Sequence, residues 1–114
     1  MCLLVVSDTA YVDPGSDRLG PLARTLCAER GVEVDTRYAP NDREAIRVEV
    51  LTSIGRCDFT VVAGGTGAGP RDLSVEAVRP LLDRELPGFG EAFRALSREE
   101  VGARAVLSRA VAGV

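Results

Sequence analysis

The chain has 114 residues, 46% of them hydrophobic, which is enough for one compact core and too little for two. Fourteen basic residues face seventeen acidic ones for a net charge of -3, and neither sign forms a block, so a nucleic-acid face is not expected. With no histidine in the sequence, Ser-His and Cys-His nucleophile pairs are excluded.

Every basic residue is arginine, which codon usage explains more simply than selection for phosphate contacts. Cys2, Cys27 and Cys57 are odd in number, widely spaced and without a CxxC pair. They read as small buried hydrophobes in a reducing compartment. The apolar start Met1 to Val6 is only a strand's length and runs into Ser7-Asp8, so no secretion signal is expected. No apolar run approaches the roughly 20 residues that cross a bilayer. The expected setting is cytoplasmic, with no membrane contact.

Leu3 to Val6 is an unbroken apolar run, the pattern of a parallel strand covered on both faces. Leu19, Leu22, Ala23, Leu26 and Cys27 then recur at helical spacing, with Gly31 as the stop. Val32 to Tyr38 alternates as a half-buried or edge strand does, closed by Pro40. Asn41 with Glu44 has capping-box spacing and opens a helix whose stripe is Ile46, Val50 and Ile54. Phe59 to Ala63 is the third strand. Ser74 is placed to cap a helix with Val75, Val78, Leu81 and Leu82 inward, and Leu86-Pro87-Gly88 to break it. Phe89, Phe93 and Leu96 give a further short stripe that suits core or subunit contacts. Ser97 with Glu100 reads as a second capping box before an extended Leu107 to Val114.

Strand, helix, strand, helix, strand implies an α/β fold, a doubly wound, mostly parallel sheet with helices on both faces in three layers. Ligands of such sheets sit at the carboxyl ends of strands. There the sequence puts Gly64-Gly65-Thr66-Gly67-Ala68-Gly69-Pro70-Arg71-Asp72, four glycines in six positions. Such a backbone turns tightly and presents N–H groups to an anion. It is not a Walker A loop, because Pro70 stands where the lysine is required. Positive charge must come from Arg71, from the following helix, or from a metal ion held by carboxylates, for which Asp8, Asp42 and Asp72 are the candidates. Each has a structural alternative: Asp72 and Asp42 as helix caps, Asp8 as a turn former. The set suits phosphoryl or nucleotidyl transfer.

Ser7-Asp8, Asn41-Asp42, the loop Gly64 to Asp72, Glu76, Glu85-Leu86-Pro87-Gly88-Phe89 and Leu107-Ser108-Arg109, in this order over nearly the whole chain, resemble the molybdopterin-binding fold of MoaB/Mog proteins and the amino-terminal domain of gephyrin. The resemblance implies molybdenum cofactor biosynthesis by a homotrimer or hexamer that transfers AMP from Mg-ATP to molybdopterin, with a molybdenum-insertion protein as partner. The alternative is a non-catalytic molybdopterin carrier or scaffold of the same fold. A more distant third is a module like the competence-damage-type proteins. By position, Asp42 and Asp72 match the family's catalytic and magnesium-binding aspartates. Gly64, Gly65, Thr66 and Gly67 match its phosphate loop, with Ser7, Asp8 and Arg71 as binding positions. Against the family pattern, Asp17-Arg18-Leu19-Gly20 replaces a serine by Leu19, and Ser74-Val75-Glu76 stands for Thr-Pro-Glu. Residues 1–114 are expected to form a single domain that lacks the family's last strand and helix.

Overall fold

The structure is a computed structural model that describes residues 1–114. Its centre is β1 (Cys2–Val6), whose five residues are all buried. A run of branched and thiol side chains leaves no polar group to face water, so the strand lies between two others, parallel to both, in the order β2-β1-β3. β2 (Asp35–Ala39) and β3 (Thr60–Ala63) pair with it from Cys2↔Asp35 and Cys2↔Thr60 onward. That register explains why both neighbours start later than the sequence suggests. Residues 32–34 and Phe59 precede the register partners of Cys2, and from the start of the chain only single bonds reach them, from Met1 to Glu33 O and from Cys2 N–H to Phe59 O.

Alternate residues of a strand face opposite ways, and the two sides of β1 build two cores. Leu4 and Val6 pack with Ala39, Ile46, Val50 and Ala77. Leu3 and Val5 pack with Ala10, flanked by Met1, Ala23, Val34, Tyr38 and Ala63. The first core lies under α3 (Arg43–Ile54) and α4 (Ser74–Val78), the second under α1 (Asp8–Val12) and α2 (Leu19–Ala28). This is the three-layer α/β arrangement that the element order implies.

Several local readings are corrected. The cap of α3 is Asp42, not Asn41, and its carboxylate accepts from Ala45 N–H at 2.8 Å. Ile54 at the end of α3 is 57% exposed, while Ser53 is fully buried and donates to Glu49 O at 2.8 Å. In α2 the leucine stripe faces outward: Leu19, Leu22 and Leu26 are exposed, and the contact side is Gly20 and Ala23. A β-carbon on Gly20 would stand 2.6 Å from Asp17 Oδ2 and 3.1 Å from Thr36 Cγ2, so the helix packs tightly against Asp17 and β2 there. Leu86-Pro87-Gly88 does not break a helix. It opens α5 (Pro87–Val101), with Pro87 at the first position, where its missing N–H costs nothing. Ser97 and Glu100 lie inside α5, so the second capping box does not exist. Phe89 and Phe93 stack with ring centroids 6.1 Å apart and remain exposed, outside the core. A 3-10 turn (Gly102–Leu107) follows, and the last residues run extended until Gly113 bridges Glu85.

The cysteine reading is corrected too. Cys2 and Cys57 form a disulfide across 55 residues, with Cα atoms 5.8 Å apart, and Cys27 alone is free. The first residue of β1 and the turn before β3 meet at the same end of the sheet, a proximity that sequence spacing does not reveal. The cysteines therefore give no support to a reducing compartment. No helix is long and apolar enough to cross a membrane.

Candidate functional site

The carboxyl ends of all three strands open on one rim. Directly after β1, the Ser7 hydroxyl accepts from Ala10 N–H at 3.2 Å and caps α1. Asp8, the first residue of α1, accepts from Asn41 N–H at 2.8 Å and forms an ion pair with Arg71. That Asn41 N–H, with Arg71 beside it, holds the Asp8 carboxyl below the usual carboxylate range. Asp8 thus ties together the ends of β1 and β2 and the far side of the glycine-rich loop.

After β3 the chain enters Gly64 and Gly65 with φ of +102° and +66°, a region that side chains avoid. A β-carbon at Gly64 would lie 2.3 Å from Val6 O, and one at Gly65 would lie 2.6 Å from Ser74 Oγ and 3.4 Å from Asn41 Oδ1. Both glycines are therefore required by packing as well as by backbone geometry. Ser74 does not cap α4 as the sequence suggests; Leu73 is the cap residue. Its buried hydroxyl donates instead to Gly64 O at 2.7 Å, and its N–H donates to Gly65 O at 3.0 Å.

Four further loop carbonyls, those of Thr66, Gly67, Gly69 and Asp72, are also engaged. Arg109 N–H donates to Thr66 O at 2.8 Å, its Nε to Gly67 O at 2.7 Å and its Nη2 to Asp72 O at 2.9 Å. Asp72 N–H donates to Gly69 O at 3.1 Å, and the Asp72 carboxylate accepts from Gly69 N–H at 2.9 Å. The N–H groups of Gly65, Thr66, Gly67 and Ala68 donate to no protein acceptor. With the carbonyls from Gly64 to Gly67 tied back and four consecutive donors left over, the segment favours an anion.

Behind the loop, Glu76 of α4 receives Nη1 and Nη2 of Arg109, the second at 3.3 Å. The guanidinium's hydrogen bonds hold the Glu76 carboxyl below its usual range, and Glu76 raises the pKa of Arg109. A second polar knot sits on the other side of β2. There burial pushes the Asp17 carboxyl up, but N–H groups of Gly20 and Leu19 and the Tyr38 hydroxyl outweigh it and leave the pKa lowered.

The structure brings together Asp8, Arg71, Asn41 and the loop Gly64 to Asp72. It does not gather Asp8, Asp42 and Asp72 around one cation: no group of three or more acidic or thiol side chains is placed to hold a metal ion. Mutual repulsion needs no metal to relieve it, because Asp8 meets Arg71, Asp42 caps α3 and Asp72 accepts from Gly69. Asp42 lines an open cleft of about 250 Å³ with Tyr11, Tyr38 and Pro40, in which no loop residue takes part. Three contributors carry no site role in the sequence: Asn41 and Ser74, expected there only as helix caps, and Arg109. Glu76 and Arg109 stand in motifs that carry the resemblance, yet nothing in their spacing marks them as a pair.

A family model described as "Probable molybdopterin binding domain" matches residues 2–114. Molybdenum cofactor biosynthesis protein B of Staphylococcus epidermidis is 46% identical over 120 residues, covering 99% of this chain and 67% of that protein. Molybdopterin adenylyltransferase of Pyrococcus furiosus is 38% identical over 113 residues, covering 98% and 66%. This chain thus spans about two thirds of such relatives. The crystal structure of a molybdopterin biosynthesis protein from Mycobacterium abscessus superposes with a TM-score of 0.84 at 41% identity, over 99% of this chain and 72% of that one. With sequence, fold and loop in agreement, the chain belongs to the MoaB/Mog family of molybdopterin-binding domains, proteins of molybdenum cofactor biosynthesis.

Proposed function

We propose that this chain binds molybdopterin and Mg-ATP on the rim around the Gly64–Asp72 loop and transfers AMP to the terminal phosphate of molybdopterin, releasing pyrophosphate. The observation that carries this reading is the row of unengaged N–H groups from Gly65 to Ala68. In the reaction an oxygen of the molybdopterin phosphate forms a bond to the α-phosphorus as the bond to pyrophosphate breaks. The protein's task is to hold the two in line and to stabilise charge on the non-bridging oxygens. Fixed N–H dipoles do this without reorganising during the step. Arg71, 78% exposed in its side chain, is free enough to exchange Asp8 for a phosphate.

Magnesium belongs to the nucleotide in this reading, since the chain has no preformed metal site. Asp42 and Asp72 each have one carboxylate oxygen that no protein donor occupies, and these are the groups assigned to the magnesium-phosphate unit. Ser7, already committed to its cap, and Asp8 act as accessory contacts. The adenylyltransferase name of the Pyrococcus furiosus relative supports the reaction assigned here. The exposed Phe89–Phe93 stack suits a subunit contact in a homotrimer or hexamer, and a cytoplasmic setting with a molybdenum-insertion partner completes the proposal.

The test is incubation with molybdopterin and Mg-ATP while pyrophosphate is followed, beside an Asp72→Asn control. Release that needs molybdopterin and disappears in the control supports the transferase. Tight molybdopterin binding without release identifies a carrier instead, and absence of binding rejects both.

A further inference from the structure

Arg109 lies 37 residues beyond Asp72 in the chain, yet it donates to Thr66 and Gly67 at one end of the loop and to Asp72 at the other. Its remaining donors meet Glu76. A guanidinium whose donors are distributed in this way has little left for a phosphate. Its effect on a bound anion is indirect: it engages the carbonyl oxygens of Gly67 and Asp72, while the Arg109 main-chain N–H engages that of Thr66, which leaves the loop's N–H groups as its unpaired polar face.

The clasp has its own support. Ser108 O accepts from Arg94 Nη1 of α5 at 3.1 Å, and a β-carbon on Gly90 would come within 2.7 Å of Ala110 O, so residues 108–110 lie directly on α5. Glu76 sits on α4, which packs against the core through Val75 and Ala77, both buried. Arg109 therefore links the loop to both helices, alongside the bonds from Ser74 and Asp72.

We propose that Arg109, oriented by Glu76, is a positioning residue that keeps the Gly64–Asp72 loop open as an anion cradle and makes its geometry depend on the seating of residues 108–110 on α5. The consequence for ligand rests on the reading of that loop as a phosphate site; the consequence for loop order does not. An exposed Arg–Glu pair alone contributes little, but a fork on two backbone carbonyls and a carboxylate fixes geometry that lysine cannot reproduce.

The experiment measures backbone NMR order parameters and Mg-ATP affinity for the unaltered chain and for Arg109→Ala, Arg109→Lys and Glu76→Gln, with thermal melts alongside. Arg109→Ala is expected to lower the order parameters of Gly65 to Gly69 from about 0.85 to below about 0.6 while β1 stays rigid. Mg-ATP affinity should fall about tenfold, as expected for the loss of several charge-assisted hydrogen bonds. Arg109→Lys should resemble the alanine variant, and Glu76→Gln should loosen the loop less. If Arg109→Ala fails to fold, the lysine variant carries the same comparison. A loop that stays rigid in the folded variants overturns the proposal, as does full recovery by lysine, which would reduce Arg109 to its charge. A loop that loosens in a chain that never binds Mg-ATP leaves the clasp standing and rejects the phosphate reading.

Discussion

The two ends of the parallel sheet are closed in opposite ways. Where β1 begins, Cys2 is bonded to Cys57, and the linkage is covalent and buried on the β1 side. Where β3 ends, the loop is closed by Ser74, Asp72 and Arg109 through hydrogen bonds to its carbonyls. The first closure restrains the unfolded chain; the second arranges dipoles. A stable end opposite a polar, ligand-ready end is what a small α/β domain needs when its site lies on loops beyond the strands.

Removing each closure separates these roles. The largest expected effect on stability is at the disulfide. Reduction, or Cys57→Ser, should cost about 4 kcal/mol in the chain-entropy account of a loop of this length. Denaturant titration at fixed pH measures it, and the fraction still folded should bind Mg-ATP as before. Gly64→Ala comes next. Its positive φ and the approach to Val6 O should cost at least about 2 kcal/mol, with loss of Mg-ATP binding by the protein that remains folded. Calorimetric melts paired with binding titrations distinguish it from the disulfide variant.

How much of this is legible in the sequence depends on distance along the chain. β1 is readable from its apolar run, and the loop from its glycines, because both signals are local. Pro87-Gly88 reads as a stop because the two residue types punctuate either end of a helix, and only the packing of residues 89–101 decides which. The helical stripe puts Ile54 in the core by extending a pattern that the helix end no longer supports, since the buried residue there is Ser53. Cys2–Cys57 and Arg109–Glu76 are pairings across 55 and 33 residues, set by topology alone. A metal-bound rim is the expectation when three aspartates lie at strand ends and around the loop. Each instead finds a nearer partner in Arg71 or a backbone N–H.

Smaller effects probe the polar end. The Glu76 and Asp8 carboxyls have lowered pKa values in the folded chain. Their stabilisation is complete above the unfolded carboxylate value of about 4 and is lost as pH falls through the lower folded values. Melts between about pH 6 and pH 3 should fall less steeply with acid in Glu76→Gln than in the unaltered chain. The smallest change in stability is expected for Asp42→Asn, within about 0.5 kcal/mol, because asparagine caps a helix as well as aspartate does. In the transferase reading the same substitution should abolish pyrophosphate release, so a melt and an activity assay on one sample separate cap from chemistry.

The central claim is that four backbone N–H groups in the glycine-rich loop receive the ligand's phosphates. Titration of isotopically labelled chain with Mg-ATP, with the amide resonances monitored, tests it most directly. Saturable shifts are predicted at Gly65, Thr66, Gly67 and Ala68 with little change in β1; saturable binding that leaves those four resonances in place would contradict the claim.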